Sequence, residues 1–271
     1  MIDGKRSMGY STLAIIILLL VLAYVLLTNT NTFAGILKKG GDIEVCRLSV
    51  LAQASVKLAG QSPLSLKCPR REIKLFNDKV EINGKKEAKY EFKKLDDNIV
   101  NKIVAEELRL CWYKMGEGEV NVFQQAYVTE IDTVCLICSE ISFDQKLENK
   151  QFQGLVDYLK GNKMHETDIY YFDYLIRSQR NTYLLWGNIP WSQYTPWGWG
   201  TTDRITNNVE ENLQKYKEGS NSLVTNKNYV IYFLAHKPDW LTEFIGVAIS
   251  AHYIGLGDNT KVAKECRRLV N

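Results

Sequence analysis

The 271-residue sequence lacks the short signatures that announce a known chemistry. It has no Gly-rich phosphate loop and no G-x-S-x-G nucleophile elbow, so neither nucleotide handling nor an α/β-hydrolase site can be argued from a motif. Histidine is scarce: His165, His236 and His252 stand alone, each read as a surface or satisfied core residue. A zinc site has little to build on, because no second C-x2-C and no H-x3-5-H completes a four-ligand set. The chain also lacks a strong charge of either sign. From Ile43 onward it holds 30 basic and 29 acidic residues, which is not the electrostatic footprint of a nucleic-acid binder. No internal repeat and no low-complexity segment is present. These absences point to no cofactor, no metal and no nucleic-acid partner, and they incline the reading away from an enzyme without excluding one.

What the chain does have is one long apolar run. No charge occurs from Ser7 to Leu37, and Leu13 to Leu27 is apolar apart from the Tyr24 hydroxyl. At about 1.5 Å per helical residue, Tyr10 to Leu27 spans roughly 27 Å, close to the roughly 30 Å hydrocarbon core of a bilayer. A helix is expected, since lipid offers the backbone no other hydrogen-bonding partner. The domain plan is then a cytoplasmic N-terminal flank over 1–9, a transmembrane helix over 10–27, a membrane-proximal stalk over 28–42 and an extracytoplasmic body over 43–271. Two alternatives stand beside it. A cleaved signal would use Thr32-Phe33-Ala34, although its apolar part would normally be about 7–15 residues. A pilin-like leader would be cut after Gly9, although Ala14 stands where such leaders usually carry Glu. The flanking charges, Lys5 and Arg6 against Lys38 and Lys39, leave orientation tied under the positive-inside rule. The short N-terminal flank and the cysteines of the body place the N-terminus inside and the body outside, at the cell membrane.

Six cysteines, Cys46, Cys68, Cys111, Cys135, Cys138 and Cys266, all lie in the body. In an exported domain an even, dispersed set favours disulfides, with 15 possible connectivities for six cysteines. In a cytosolic one the same residues would be thiols or metal ligands. Cys135-Leu-Ile-Cys138 is the sharpest short motif, and as a redox pair it would need the sulfurs adjacent at a helix start. Its context, Val134 to Ile141, favours a strand instead. Side chains three apart in a strand point to opposite faces, so each cysteine is expected to pair at a distance, with partners such as Cys111.

The body reads as α+β, a mixed, largely antiparallel domain stapled by disulfides. Residues 43–57 fit helix or strand equally. Leu64–Phe76 reads as a strand disturbed by Pro69, and Asn83-Gly84 as a tight hairpin turn with a return strand over Lys85–Phe92. Asp96–Met115 is a helix: an Asp cap is followed by Ile99, Val100, Ile103, Val104, Leu108, Cys111, Trp112 and Met115 on one stripe, and Gly116-Glu-Gly118 ends it. Strands are expected over Val120–Val128, Asp132–Phe143, Tyr229–Ala235, Phe244–Leu256 and Lys264–Val270. Helices are expected over Leu147–Lys160, Asp168–Ile176 and Asp203–Tyr216. The paired acids Glu106-Glu107 and Glu210-Glu211 read as solvated helix faces. Phe244–Leu256, with 13 residues and a histidine, is too short for a second membrane span.

Residues 181–202 carry four of the six tryptophans, with prolines and glycines that make the stretch a loop by composition. Tyr183, Trp186, Trp191, Tyr194, Trp197 and Trp199 have two readings. Exposed, they supply large contact areas with polar tips, suited to another envelope protein or a glycan. Folded inward, they make a small core under the loop. Trp186, Trp191, Tyr194, Trp197 and Trp199 are the partner-contact candidates.

Cys111-Trp-Tyr-Lys-Met-Gly-Glu-Gly118, followed by Cys135-Leu-Ile-Cys-Ser-Glu-Ile141, resembles single-pass envelope proteins of small-genome archaea, which have no assigned activity. The layout is similar too, with an N-terminal anchor, the early Cys46, Leu-Lys-Cys-Pro at 66–69 and the late Cys266. The resemblance implies placement and fold kinship, not chemistry. The functional expectation is a membrane-anchored, extracytoplasmic, non-enzymatic binding or structural module of the cell envelope. The alternatives are an anchored enzyme, such as a thiol-disulfide oxidoreductase using the C-x2-C pair, and a pilin-like filament subunit.

Overall fold

A computed structural model describes residues 41–54, 66–118, 120, 132–176, 182–186, 222–237, 251–260, 262 and 268–270. At 132–134, 176, 182–186, 235–237, 251–253 and 268–270 the backbone alone is described. The apolar stretch 10–27, the stalk through residue 40, all but the first residue of the strand expected over Val120–Val128, and the helix expected over 203–216 lie outside the described residues. Among the described residues no helix is long and apolar enough to cross a membrane. The chain divides into two compact units, Met1–Val45 and Cys46–Asn271. Of the first, the described residues 41–45 are helical.

The second unit is organised on one strand, β4 (Asp132–Phe143), the longest among the described residues at 12 residues. Its sequence, DTVCLICSEISF, is rich in the β-branched and aromatic residues that suit a pleated, buried surface. On one side it pairs antiparallel with β8 (Tyr229–Lys237). Its other side is shared, and both pairings there are parallel. β1 (Arg71–Leu75) takes Ser139–Phe143, and β10 (Arg268–Val270) takes Val134–Leu136. The sheet extends beyond β1 through β2 (Val80–Ile82) and β3 (Lys85–Lys86), and beyond β8 through β9 (Ala251–Asp258) and β6 (Thr182–Trp186). A separate two-stranded ladder joins β5 (Gln151–Phe152) to β7 (Leu223–Val224).

A bulge in β4 sets what the sheet presents to the helices. Ile137 pairs with Tyr232 but Ser139 pairs with Ile231, so Cys138 is the additional residue. Without it, strict alternation would send Cys138 and Ser139 to opposite faces. With it, Leu136, Cys138, Ile141 and Phe143 all enter the same hydrophobic core as Ile231 and Phe233, and Ser139 reaches the same helix. On the opposite face Cys135, Val230 and Leu234 are also fully buried. Gly255 is required there, because a Cβ on it would stand 2.7 Å from the Tyr232 ring.

The principal helix, α2 (Asp97–Lys114), matches the expected one. Asp96 caps it, accepting a hydrogen bond from the Ile99 amide at 2.8 Å, and Gly116, at φ 75°, ends it in the left-handed conformation common after helices. Val100, Ile103, Val104, Leu108, Cys111 and Trp112 are fully buried against the sheet side of the core. The preceding helix, α1 (46–54 within this unit), settles the choice left open over 43–57 in favour of helix as far as residue 54, with 55–57 outside the described residues. Two short helices, α3 (Leu155–Gly161) and α4 (Tyr171–Ile176), also pack on α2.

Several boundaries differ from expectation for identifiable reasons. The first strand begins at Arg71, because 66–70 contain Pro69 and the disulfide-bonded Cys68. The hairpin turn is as expected, with Asn83 and Gly84 both at positive φ. Its return strand, however, stops at Lys86, where the Glu87 amide bonds back to the Val80 carbonyl and the chain turns to bury Tyr90. The helix expected over Leu147–Lys160 starts only at Leu155. Gln151 and Phe152 are held in a ladder with β7, and Gly154 is left-handed at φ 85°. Residues 182–186, expected as loop, form β6, parallel to β9. The apolar run before Gly257 is a strand from Ala251, with 244–250 outside the described residues.

Candidate functional site

Polar chemistry in the described residues concentrates along α2, and first at Glu106 and Glu107. These acids are not a solvated face, as adjacency on a helix suggested: Glu107 is 1% exposed and Glu106 7%. The physical reason is that α2 is covered on more than its apolar stripe. Tyr171 of α4 closes over Glu106, and Arg71 of β1 with Ser139 of β4 closes over Glu107.

The two carboxylates have separate partners. Arg109 grips Glu106 through two hydrogen bonds of 2.9 Å, from Nε to Oε2 and from a terminal nitrogen to Oε1. Lys89 Nζ donates to Oε1 at 3.2 Å and the Tyr171 hydroxyl to Oε2 at 3.2 Å. Burial alone would raise the Glu106 pKa, but the Arg109 fork and the Lys89 charge outweigh it and hold the carboxyl at about 2. Glu107 accepts from the Ser139 hydroxyl at 2.6 Å and pairs with Arg71 at 3.1 Å. The surrounding phenols are held neutral: burial, then the charges of Glu107 and Glu106, raise Tyr90, and burial, then Glu106, raises Tyr171.

A second network sits just past the end of α2. Gly116, Glu117 and Gly118 all have positive φ, at 75°, 56° and 73°. For Glu117 that is an uncommon conformation, of the kind that persists only when its surroundings hold it. Arg47 of α1 pairs with one Glu117 oxygen at 2.9 Å, and the Tyr174 hydroxyl of α4 donates to the other at 2.5 Å. Arg47 also lies 4.0 Å from the centroid of the Tyr113 ring and donates to the Tyr113 carbonyl. Burial and the bond to Glu117 raise the Tyr174 pKa. The left-handed turn thus joins α1, α2 and α4 through one carboxylate.

The chemical capacity of these networks is limited by their own geometry. Glu106, ionised down to about pH 2, has no proton to give as a general acid near neutrality. The Ser139 hydroxyl points its proton at Glu107 and is 1% exposed, so no substrate atom can approach it. Both arrangements position elements of the fold.

The cysteines lie where the layers need joining. Cys46 of α1 bonds Cys68 ahead of β1, with Cα atoms 4.4 Å apart. Cys111 of α2 bonds Cys138 at the β4 bulge, with Cα atoms 5.5 Å apart. Cys135 is also disulfide-bonded, to a partner outside the described residues. The C-x2-C pair is therefore not closed on itself, and its two members serve opposite faces of the sheet. Cys266, Trp191, Tyr194, Trp197 and Trp199 lie outside the described residues, and Trp186 is described only in its backbone, as the last residue of β6. His165 is exposed beside Glu166, and His236 and His252, described as backbone alone, lie opposite Ala251 and Ala235 in the β8–β9 ladder. No group of three or more metal-ligating side chains occurs among the described residues.

Glu106, Glu107, Arg47, Glu117 and Tyr174 were not singled out as functional from the sequence. One signal was available: Gly-Glu-Gly after a helix marks a turn in which the central residue can be forced to positive φ. Nothing local marked Glu106 and Glu107, whose covers come from strands and helices distant in the chain.

These features define a disulfide-stapled, mixed α+β domain. No family model matches the chain, and neither the curated proteins nor the solved structures gave a match.

Proposed function

We propose that the protein is a membrane-anchored, extracytoplasmic component of the cell envelope whose α+β body is a non-enzymatic binding or structural module. The observation that carries this reading is the state of the cysteines. Among the described residues none is free, and the bonded sulfurs join a helix to the segment before β1 and a second helix to the central strand. Buried disulfides of this kind form and persist where the environment is oxidising. The anchor itself rests on the apolar stretch Tyr10 to Leu27, and the resemblance of the layout to single-pass archaeal envelope proteins is consistent with it. Thiol-disulfide exchange needs an accessible sulfur, and the burial of Cys135 and Cys138 at 0% and 1% weighs against it. The candidate contact for a protein or glycan partner is the aromatic stretch Trp186 to Trp199.

The test is a non-reducing peptide map of protein isolated from membranes under alkylating conditions. The expected result is Cys46–Cys68, Cys111–Cys138 and, as the remaining two cysteines, Cys135–Cys266. Alkylation of Cys135 and Cys138 in the isolated protein would remove the oxidising compartment from the reading. For the contact role, Trp197→Ala with Trp199→Ala is expected to leave the body folded and reduce partner capture; a variant that unfolds would make these residues core.

A further inference from the structure

The balance of charge over the whole body conceals a local imbalance. Residues 66–95 hold ten basic and five acidic residues, so the other 241 residues carry 24 basic against 26 acidic. The structure folds this segment into a single rim along one edge of the sheet. β1, β2 and β3 form the edge itself, the Asn83 amide bonds back to the Glu72 carbonyl, and the Leu95 amide returns to the Asn77 carbonyl at 2.7 Å, bringing Lys93 and Lys94 back beside the β1–β2 turn.

Four of the ten cations are engaged. Arg70 pairs with Glu140, Arg71 with Glu107, Lys79 with Glu81 and Lys89 with Glu106. The other six, Lys67, Lys74, Lys85, Lys86, Lys93 and Lys94, are exposed and form no ion pair among the described residues. Lys74 and Lys79 stand over the half-buried ring of Phe76, at 5.2 and 4.5 Å from its centroid.

One or two lysines on a short edge strand are a common guard against edge-to-edge aggregation, and Lys85 and Lys86 serve that purpose. Glu106, Glu107 and Glu140 reach in from other elements and offset three of the segment's five excess positive charges, yet six exposed lysines without ion pairs still exceed the need. We infer that this rim is a docking surface for an anionic lipid headgroup layer, so that the body rests against the membrane on its β1–β3 edge. The inference depends on the anchored reading above, which keeps a bilayer within reach.

Three observations favour a charged lipid surface over other polyanions. All six unengaged cations are lysines, which act as diffuse point charges, whereas recognition of individual phosphates or bases favours the arginine fork. β3 is two residues long, too short to template an added peptide strand. The aromatic rings of the rim, Phe76 and Phe92, are partly buried, so they offer no free stacking platform for bases. Clustered lysines near a bilayer, by contrast, need only proximity to an anionic leaflet.

The full chain in nanodiscs tests this, with phosphatidylglycerol-containing discs compared with phosphatidylcholine-only discs. The readout is lysine acylation followed by mass spectrometry. Lys74, Lys85, Lys86, Lys93 and Lys94 are expected to label at least about threefold more slowly in the anionic discs, while the exposed Lys146 and Lys160 on other elements are unchanged. Raising salt to about 1 M, where the Debye length is about 3 Å, is expected to abolish the protection. The variant Lys85→Gln/Lys86→Gln/Lys93→Gln/Lys94→Gln, confined to exposed positions, is expected to release Lys74. Equal labelling in both discs would overturn the inference, as would protection by added oligonucleotide or polyglutamate with none from lipid charge. If the chain fails to enter discs, the anchor reading fails, and flotation with vesicles of the same lipids still reads the rim: salt-sensitive flotation on anionic vesicles supports it and its absence rejects it.

Discussion

Two sets of cations lie close together on the β1–β3 edge and α2, and they meet opposite fates. Arg71 and Lys89 turn toward α2, and with Arg109 of α2 itself they are tied to Glu106 and Glu107. Lys74, Lys85, Lys86, Lys93 and Lys94 turn toward water without ion pairs among the described residues. The difference lies in what the opposing surface supplies. Where a second layer of helices brings carboxylates within hydrogen-bond distance, charge becomes part of the fold and its removal is costly. At a sheet edge with no second layer, charge adds little to stability and is free for encounters with other surfaces.

Replacing Glu107 by Ala should break this contrast most severely. It leaves Arg71 and Ser139 facing each other without their acceptor, and a loss of about 3 kcal/mol or more is expected from urea unfolding. A loss under about 1 kcal/mol would mean that the buried pair behaves like a surface one. The Cys111→Ala/Cys138→Ala variant separates α2 from the bulge of β4; for a sequence separation of 27 the chain-entropy account gives about 3.5 kcal/mol, read in the same unfolding assay.

Acid titration sharpens the contrast next. Glu106 has a folded pKa of about 2, below the roughly 4.3 of an unfolded Glu. Its contribution is therefore fully present above about pH 5 and is lost as pH falls from there through about 2, by about 2–3 kcal/mol in total. Glu106→Gln should flatten that part of the stability–pH curve, and an unchanged acid limb would show that Glu106 does not carry it. The smallest effect is expected at Glu117→Gln, which keeps the acceptor for Tyr174 and removes only the charge facing Arg47. With Arg47 and Glu117 side chains 18% and 28% exposed, a loss of at most about 1 kcal/mol is expected.

The elements readable from the sequence were those whose signal is local. The cap, stripe and terminal glycine of α2, the Asn83-Gly84 turn and the alternating, β-branched run of β4 all state their structure within about 20 residues. The parallel pairing of β6 with β9 could not be read that way, because its stabilising partner is some 70 residues along the chain and the composition around Trp186 is that of a loop. α3 begins late because β7, far downstream, holds Gln151 and Phe152. The buried acids were invisible for the same reason: helical periodicity shows which face of α2 is apolar, not that α4 and β1 cover the polar one. The cysteines were legible as bonded residues at a distance, and strand alternation separated the two halves of the C-x2-C, but the bulge that brings Ser139 onto the helix face beside Cys138 has no sequence mark.

The Cys46–Cys68 bridge also sets where a load applied at Val45 would enter the body. Tension arriving at Val45 meets a covalent branch one residue later: it passes through the sulfurs to Cys68 and, three residues on, into β1. The intervening residues 47–67 lie in parallel with a bond that does not yield, so they are shielded from load. Arg47, with its hold on Glu117 and Tyr113, sits inside that shielded loop. Such a load therefore reaches the central sheet through β1, and the loop that carries Arg47 is bypassed.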